Sequence, residues 1–169
     1  MTILFSRIRF IMVQPSHPGN VGAAARAIKT MGFTDLCLVN PEHDNVTRHP
    51  DAIALASGAG DVLEQANIVP NLEAALAPLT MAFAMTARER VLGIVLGTER
   101  SGLTNEHIAQ CQRICHIPAN PAYSSLNVAQ ALQLAAWELR YALGNMPCAA
   151  ETIDSPARIN YVQNDHGET

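Results

Sequence analysis

Residues 8–40 read IRFIMVQPSHPGNVGAAARAIKTMGFTDLCLVN, and this stretch decides the fold. Ile8–Val13 is a short apolar run of strand type. The bend QPSHPGNVG follows it. Over about Val21–Met31, the apolar positions Ala23, Ala24, Ala27, Ile28 and Met31 gather on one helix face, and Gly32 stands where a helix stops. DLCLVN, residues 35–40, is a second strand-type run. Strand, loop, helix and strand in that order predict an α/β domain with a parallel sheet.

The alternation continues outward. DAIALASG, residues 51–58, reads as a short helix with Asp51 near its start, and DVLEQA and NLEAALAPL are further helical pieces. IVP, 68–70, is a short strand between them. TMAFAM, 80–85, and VLGIVLG, 91–97, are continuous apolar runs, as strands covered on both faces show. LTNEHIAQC is a helix capped by Thr104. RICHIP reads as another short strand, and SLNVAQALQLAAWELRYALG as the long final helix. After Gly144 the amphipathic period ends and linker-like composition begins. The expected organisation is one domain over 1–146 and a tail over 147–169 that leads toward a further C-terminal extension.

One junction is awkward. Only about ARER separates TMAFAM from VLGIVLG. A parallel crossover needs a dozen or more residues, so four allow only an antiparallel hairpin. Yet the link lacks the Gly, Asn or Asp of hairpin turns. Either the pair is a hairpin, or a segment is missing between Arg90 and Val91.

Composition bounds the function. Hydrophobic residues are 49% and charged residues 15% of the 169, which excludes a disordered chain. No run reaches the ~18 apolar residues of a membrane span. Arg7 and Arg9 interrupt the apolar N-terminus, which argues against a signal peptide and for the cytoplasm. Cys37, Cys111, Cys115 and Cys148 lack zinc-site spacing and read as free thiols, with Cys111 and Cys115 on one helix face. The six histidines are scattered, so no metal site is expected. The net charge of −4 leaves no global footprint for nucleic acid, so any such contact is local or assembled from two chains. Ten of the eleven basic residues are Arg, which suits bidentate phosphate contacts.

Three loops carry the polar chemistry, each after a strand. In HPGNVGAAAR, Asn20 sits at the expected helix N-cap, Gly22 and the alanines allow close approach, and Arg26 follows within two turns. Such a loop suits an anion, or simply a capped packing helix. LGTERSGL, 96–103, puts Thr98, Glu99, Arg100 and Ser101 at the carboxyl end of a strand, where open α/β sheets bind ligands. A solvated loop held by a Glu99–Arg100 contact is the plainer alternative. IPANPAYSSLNVAQA supplies Tyr123, Ser124, Ser125 and Asn127 at the entry to the final helix, or an elaborate cap. Together the three point to one composite site.

At these loops the sequence resembles the SPOUT superfamily of RNA methyltransferases. Asn20, Gly22 and Arg26 fit its N-x-G-x-x-x-R motif, and LGTERSGL and IPANPAYSSLNVAQA resemble its second and third motifs. The stretches SHPGNVGAAARAIKTMGFTDLCLVNP and YSSLNVAQA are similar to the bacterial tRNA ribose methyltransferases that act on nucleotide 32 of the anticodon loop. The resemblance covers residues 8 to about 143. It implies a parallel sheet with helices on both faces and a deep C-terminal trefoil knot. It also implies a homodimer that methylates tRNA with S-adenosylmethionine. Carried over, the cofactor pocket is Met85, Thr86, Ala87, Gly97, Ile117, Ser124, Ser125 and Leu126. Arg26 and Asn20 are the catalytic pair, and Glu99, Arg100 and Asn127 are positioning candidates. The family has some twenty more residues near Arg88–Val91. A related enzyme acting on another RNA, or a non-catalytic RNA-binding module, are the alternatives.

Overall fold

The computed structural model describes residues 5–79, 92–123 and 126–144. Four strands, β1 (Ile8–Val13), β2 (Asp35–Val39), β3 (Asn67–Val69) and β4 (Leu92–Leu96), form one sheet in the order β3-β2-β1-β4. Every pairing is parallel, with Ile11 opposite both Cys37 and Val95. The helices are α1 (Pro18–Thr30), α2 (Pro50–Ala56), α3 (Gly60–Glu64), α4 (Leu72–Leu76), α5 (Asn105–Ala109) and α6 (Val128–Gly144). The expected α/β class and parallel sheet are borne out. TMAFAM, the Arg90–Val91 junction and the tail from residue 145 lie outside the described residues.

The two-residue period of the strands sorts the core into two layers. Phe10, Met12, Leu36 and Leu38 face α1, α2, α3 and α6, and Phe33 packs edge-on against Phe10 at 5.2 Å. Ile11, Val13, Cys37 and Val39 face the other way, onto Leu72 and Ala75 of α4. Burial raises the Cys37 thiol's pKa, in keeping with an inert core thiol. Arg9, on the same face as Ile11 and Val13, donates to Asp35 at 2.9 Å and to the Ala75 carbonyl at 3.3 Å, which ties β1 to β2.

Gly22 explains how α1 and α2 pack. A Cβ there would lie 2.1 Å from the Ala52 carbonyl oxygen, so the glycine admits a helix backbone. Close approach was expected at this glycine, and its partner is the neighbouring helix. Gly32 ends α1 region with φ of +85°, a left-handed conformation that glycine adopts without strain.

Three local expectations are corrected. Helix α1 starts at Pro18, because proline is preorganised for a first helical turn. His17 is therefore the N-cap, and Asn20 lies inside the first turn. RICHIP forms no strand: residues 112–120 carry no regular structure. Helix α5 ends at Ala109, so Cys111 and Cys115 share no helix face. The Thr104 cap is present, and His107 completes a capping box with it.

Candidate active site

The carboxyl ends of β1 and β4 and the start of α6 meet at one carboxylate. Glu99 Oε2 accepts from the Ser16 backbone N–H at 3.1 Å and from the Ser16 hydroxyl at 3.0 Å. Its Oε1 accepts from the His17 backbone N–H at 3.3 Å and from the Asn20 amide at 3.2 Å. Asn20 in turn accepts from the Asn127 amide at 3.0 Å. Asn127 Oδ1 accepts from the backbone N–H groups of Ala129 and Gln130, which caps α6. One connected chain of hydrogen bonds thus joins the three polar loops.

Each link has a local cause. Ser16 and His17 precede the helix that starts at Pro18, so their N–H groups make no intrahelical bond and are available to Glu99. Beyond β4, Thr98 and Gly102 close a tight loop through reciprocal backbone hydrogen bonds of 3.1 and 3.0 Å. The loop closes because Gly97 lacks a Cβ, which would lie 2.1 Å from the Gly102 carbonyl carbon. This loop aims Glu99 back across the sheet edge. Burial pushes the Glu99 carboxyl pKa up, but donors from Ser16 and Asn20 outweigh burial and hold it below the ordinary range.

Asn20, Glu99 and Asn127 are brought together. The Glu99–Arg100 contact is replaced by the bonds to Ser16, His17 and Asn20, and Arg100 is exposed. Arg26 is exposed on α1, and its side chain has no hydrogen bond or ion pair among the described residues. Gly97 serves loop closure, Ile117 is half-buried, and Leu126 is 39% exposed. Met85, Thr86, Ala87, Ser124 and Ser125 lie outside the described residues. Ser16 was missed by the sequence reading. It is a buried polar residue whose partner is 83 positions away, so no local pattern marks it.

These features define a class: an open α/β protein whose polar working face is the carboxyl edge of a parallel sheet. The chain belongs to the SpoU rRNA methylase family, whose profile matches residues 7–137. It is 37% identical to the tRNA (cytidine/uridine/adenosine-2′-O-)-methyltransferase TrmJ of Pseudomonas aeruginosa, over 93% of this chain and 70% of that protein. That alignment runs over 184 positions, more than the 169 residues here, so the relative carries internal residues without a counterpart in this chain. A probable methyltransferase from Bordetella pertussis, seen in a crystal structure, is 61% identical with a TM-score of 0.79, covering 85% of this chain and 99% of that one. The SpoU methyltransferase AviRb of Streptomyces viridochromogenes, in complex with AdoMet, shares the fold at 21% identity and a TM-score of 0.61. It covers 80% of this chain and 57% of that one. The chain spans 62–70% of the length of the curated relatives it matches.

Proposed function

We propose that this chain methylates a ribose 2′-hydroxyl of tRNA, at nucleotide 32 of the anticodon loop, using S-adenosylmethionine. The observation that carries the reading is the Glu99–Asn20–Asn127 network, which unites the three motif loops at the carboxyl edge. The tRNA 2′-O-methyltransferase activity named for the Pseudomonas relative supports it.

The residues present fit the cofactor. Leu126 and half-buried Ile117 each leave apolar surface uncovered, which suits adenine, while Gly97 follows β4 at the ligand-binding edge. Met85, Thr86, Ala87, Ser124 and Ser125 complete the proposed pocket. When bound, S-adenosylmethionine supplies an electrophilic methyl group on a sulfonium. The chain's own task is to hold the ribose oxygen in line and keep it there. Asn20, fixed on both sides by Glu99 and Asn127, is the rigid element beside that oxygen. Arg26 is a guanidinium with all its donors available, and it holds the RNA phosphate. Arg100 is a second cation at the same edge.

The proposed assembly is a homodimer, and the proposed topology closes through a deep C-terminal trefoil knot. Helix α6 supports the dimer. It buries Val128, Leu132 and Ala136 against the core but leaves Leu134, Trp137 and Tyr141 about half exposed on another face. Trp137 and Tyr141 stack there with ring centroids 6.4 Å apart. A partner covering this face would also bring a second set of arginines to an acidic chain. No helix among the described residues is long and apolar enough to cross a membrane, and no group of metal-ligating side chains occurs among them. The proposed location is the cytoplasm.

The test is incubation of the full chain with S-adenosylmethionine and tRNA from a strain lacking this modification. Nucleoside mass spectrometry then maps the methyl group. A methyl on the ribose of nucleotide 32 is expected. A methylated base, or unmodified tRNA, overturns the reading.

A further inference from the structure

A second feature of the carboxyl edge stands apart from the hydrogen-bond network. A cleft of about 350 Å³ opens beside the ends of β1, β2 and β3. Its volume falls among those of ligand pockets, about 300–1,000 Å³. Its lining is more polar than apolar and includes buried Val39 and Leu72. The rim carries Gln14, Asn40, Asn71, Glu106 and His107.

These rim groups hold unused hydrogen-bonding capacity. The side-chain amides of Gln14 and Asn40 have no partner among the described residues. Asn71 spends Oδ1 on the Ala74 N–H, and its NH₂ has no partner among the described residues. His107 accepts from the Thr104 N–H through Nδ1, so its Nε2 carries the proton and can donate. Gln14 and Asn40 also adopt φ of 47° and 44°, a left-handed conformation uncommon outside glycine. Hydrogen bonds of 2.8 Å from their N–H groups to the Val39 and Val69 carbonyls hold them there.

We propose that this cleft receives the base of the nucleotide being methylated, an inference that rests on the function proposed above. No Lys or Arg lines the cleft, and Glu73 and Glu106 do, so a phosphate is repelled and a neutral ligand admitted. Neutral amide side chains suit an unpaired base, whose edge they can read by hydrogen bonds. The connection to the network is short. Gln14 is two residues from Ser16, at most about 7.6 Å between Cα atoms. The proposed arrangement puts the ribose at Asn20 and the base at the cleft.

The test uses the Gln14→Gly/Asn40→Gly double variant, since glycine accepts both φ values while removing both amides. The substrates are a tRNA transcript and the same transcript with an abasic ribose, 2′-hydroxyl retained, at the methylated position. On the intact transcript the variant is expected to lose about tenfold in kcat/KM, the lower range of one amide–base pair. The wild type is expected to lose as much on the abasic transcript, and the variant nothing further. S-adenosylmethionine affinity by calorimetry is expected to be unchanged. Equal losses for the variant on both transcripts, or none on the intact one, overturn the proposal. Independently of turnover, the amide NMR signals of Gln14, Asn40 and Asn71 are expected to shift on titration with single-stranded RNA. Shifts without methyl transfer would remove the proposed function and leave the cleft. Methyl transfer with no shifts would do the reverse.

Discussion

Replacing Glu99 with Gln changes one atom in the centre of the site, and the cost follows from the donors around it. In wild type, two donors point at each carboxylate oxygen. An amide NH₂ must therefore face one of these pairs. The Ser16 side is the milder choice, because the Ser16 hydroxyl can rotate and accept. That leaves the Ser16 backbone N–H without a partner, at about 1–3 kcal/mol. The other bonds lose their charge assistance. Because Glu99 is partly exposed, water offsets some of this, and about 2 kcal/mol is the expected net loss. For a domain of this size that is a fall in Tm of about 4–8 °C. The pH dependence has a definite sign. The folded carboxyl pKa lies below its unfolded value of about 4.3. The stabilisation is therefore complete above that value and is lost as pH falls through the lower, folded one. Thermal denaturation of wild type and variant between pH 3 and 8 is the assay. The two curves should be parallel at neutral pH and converge in acid. A variant with wild-type Tm at pH 7, or a difference that is flat with pH, would refute the reasoning.

Arg26→Ala should abolish methyl transfer while leaving Tm and S-adenosylmethionine affinity nearly intact, because the exposed guanidinium has no partner among the described residues. Turnover close to wild type in radiolabel incorporation would remove Arg26 from the reaction. Gly22→Ala forces a methyl against the Ala52 carbonyl and should cost about 3 kcal/mol, the upper end for overpacking. Denaturant unfolding measures it, and a loss under 1 kcal/mol would show that α1 and α2 are not locked there. Trp137→Glu puts a charge on the exposed face of α6 and should convert a dimer to monomer by sedimentation with little change in helix content. An unchanged sedimentation coefficient would place the partner elsewhere.

The fold was legible because its signals are local. Residues 8–40 carry an apolar strand, a helical period and a terminal glycine in sequence, and the structure follows them nearly residue by residue. The helix starts were less so. Asn20 is a good cap residue, yet Pro18 upstream sets the boundary, which frees the Asn20 side chain for Glu99 and Asn127. RICHIP failed because a strand needs a partner edge as well as local β propensity, and no described strand pairs with it. The junction after residue 79 was readable as a problem but not as an answer. Strand β4 is parallel to β1, while the residues that lead into it lie outside the described set.

The three loops were recognisable one at a time, but what joins them was not. Their contacts span 79–107 residues, and nothing in LGTERSGL says that its glutamate bonds to Ser16 instead of Arg100. That partner choice decides the chemistry. A carboxylate has about four lone-pair sites, and four donors occupy those of Glu99. Its depressed pKa makes it a weaker base still. Arg26 is no better, since a guanidinium has no lone pair to accept with. Under the proposed function, neither residue removes the ribose proton. Glu99 acts by fixing Asn20, and Asn20 is in turn held by the residue that caps α6. Loosening any one of the three should therefore lower kcat through the position of the ribose, without moving the pKa values seen in the pH–rate profile.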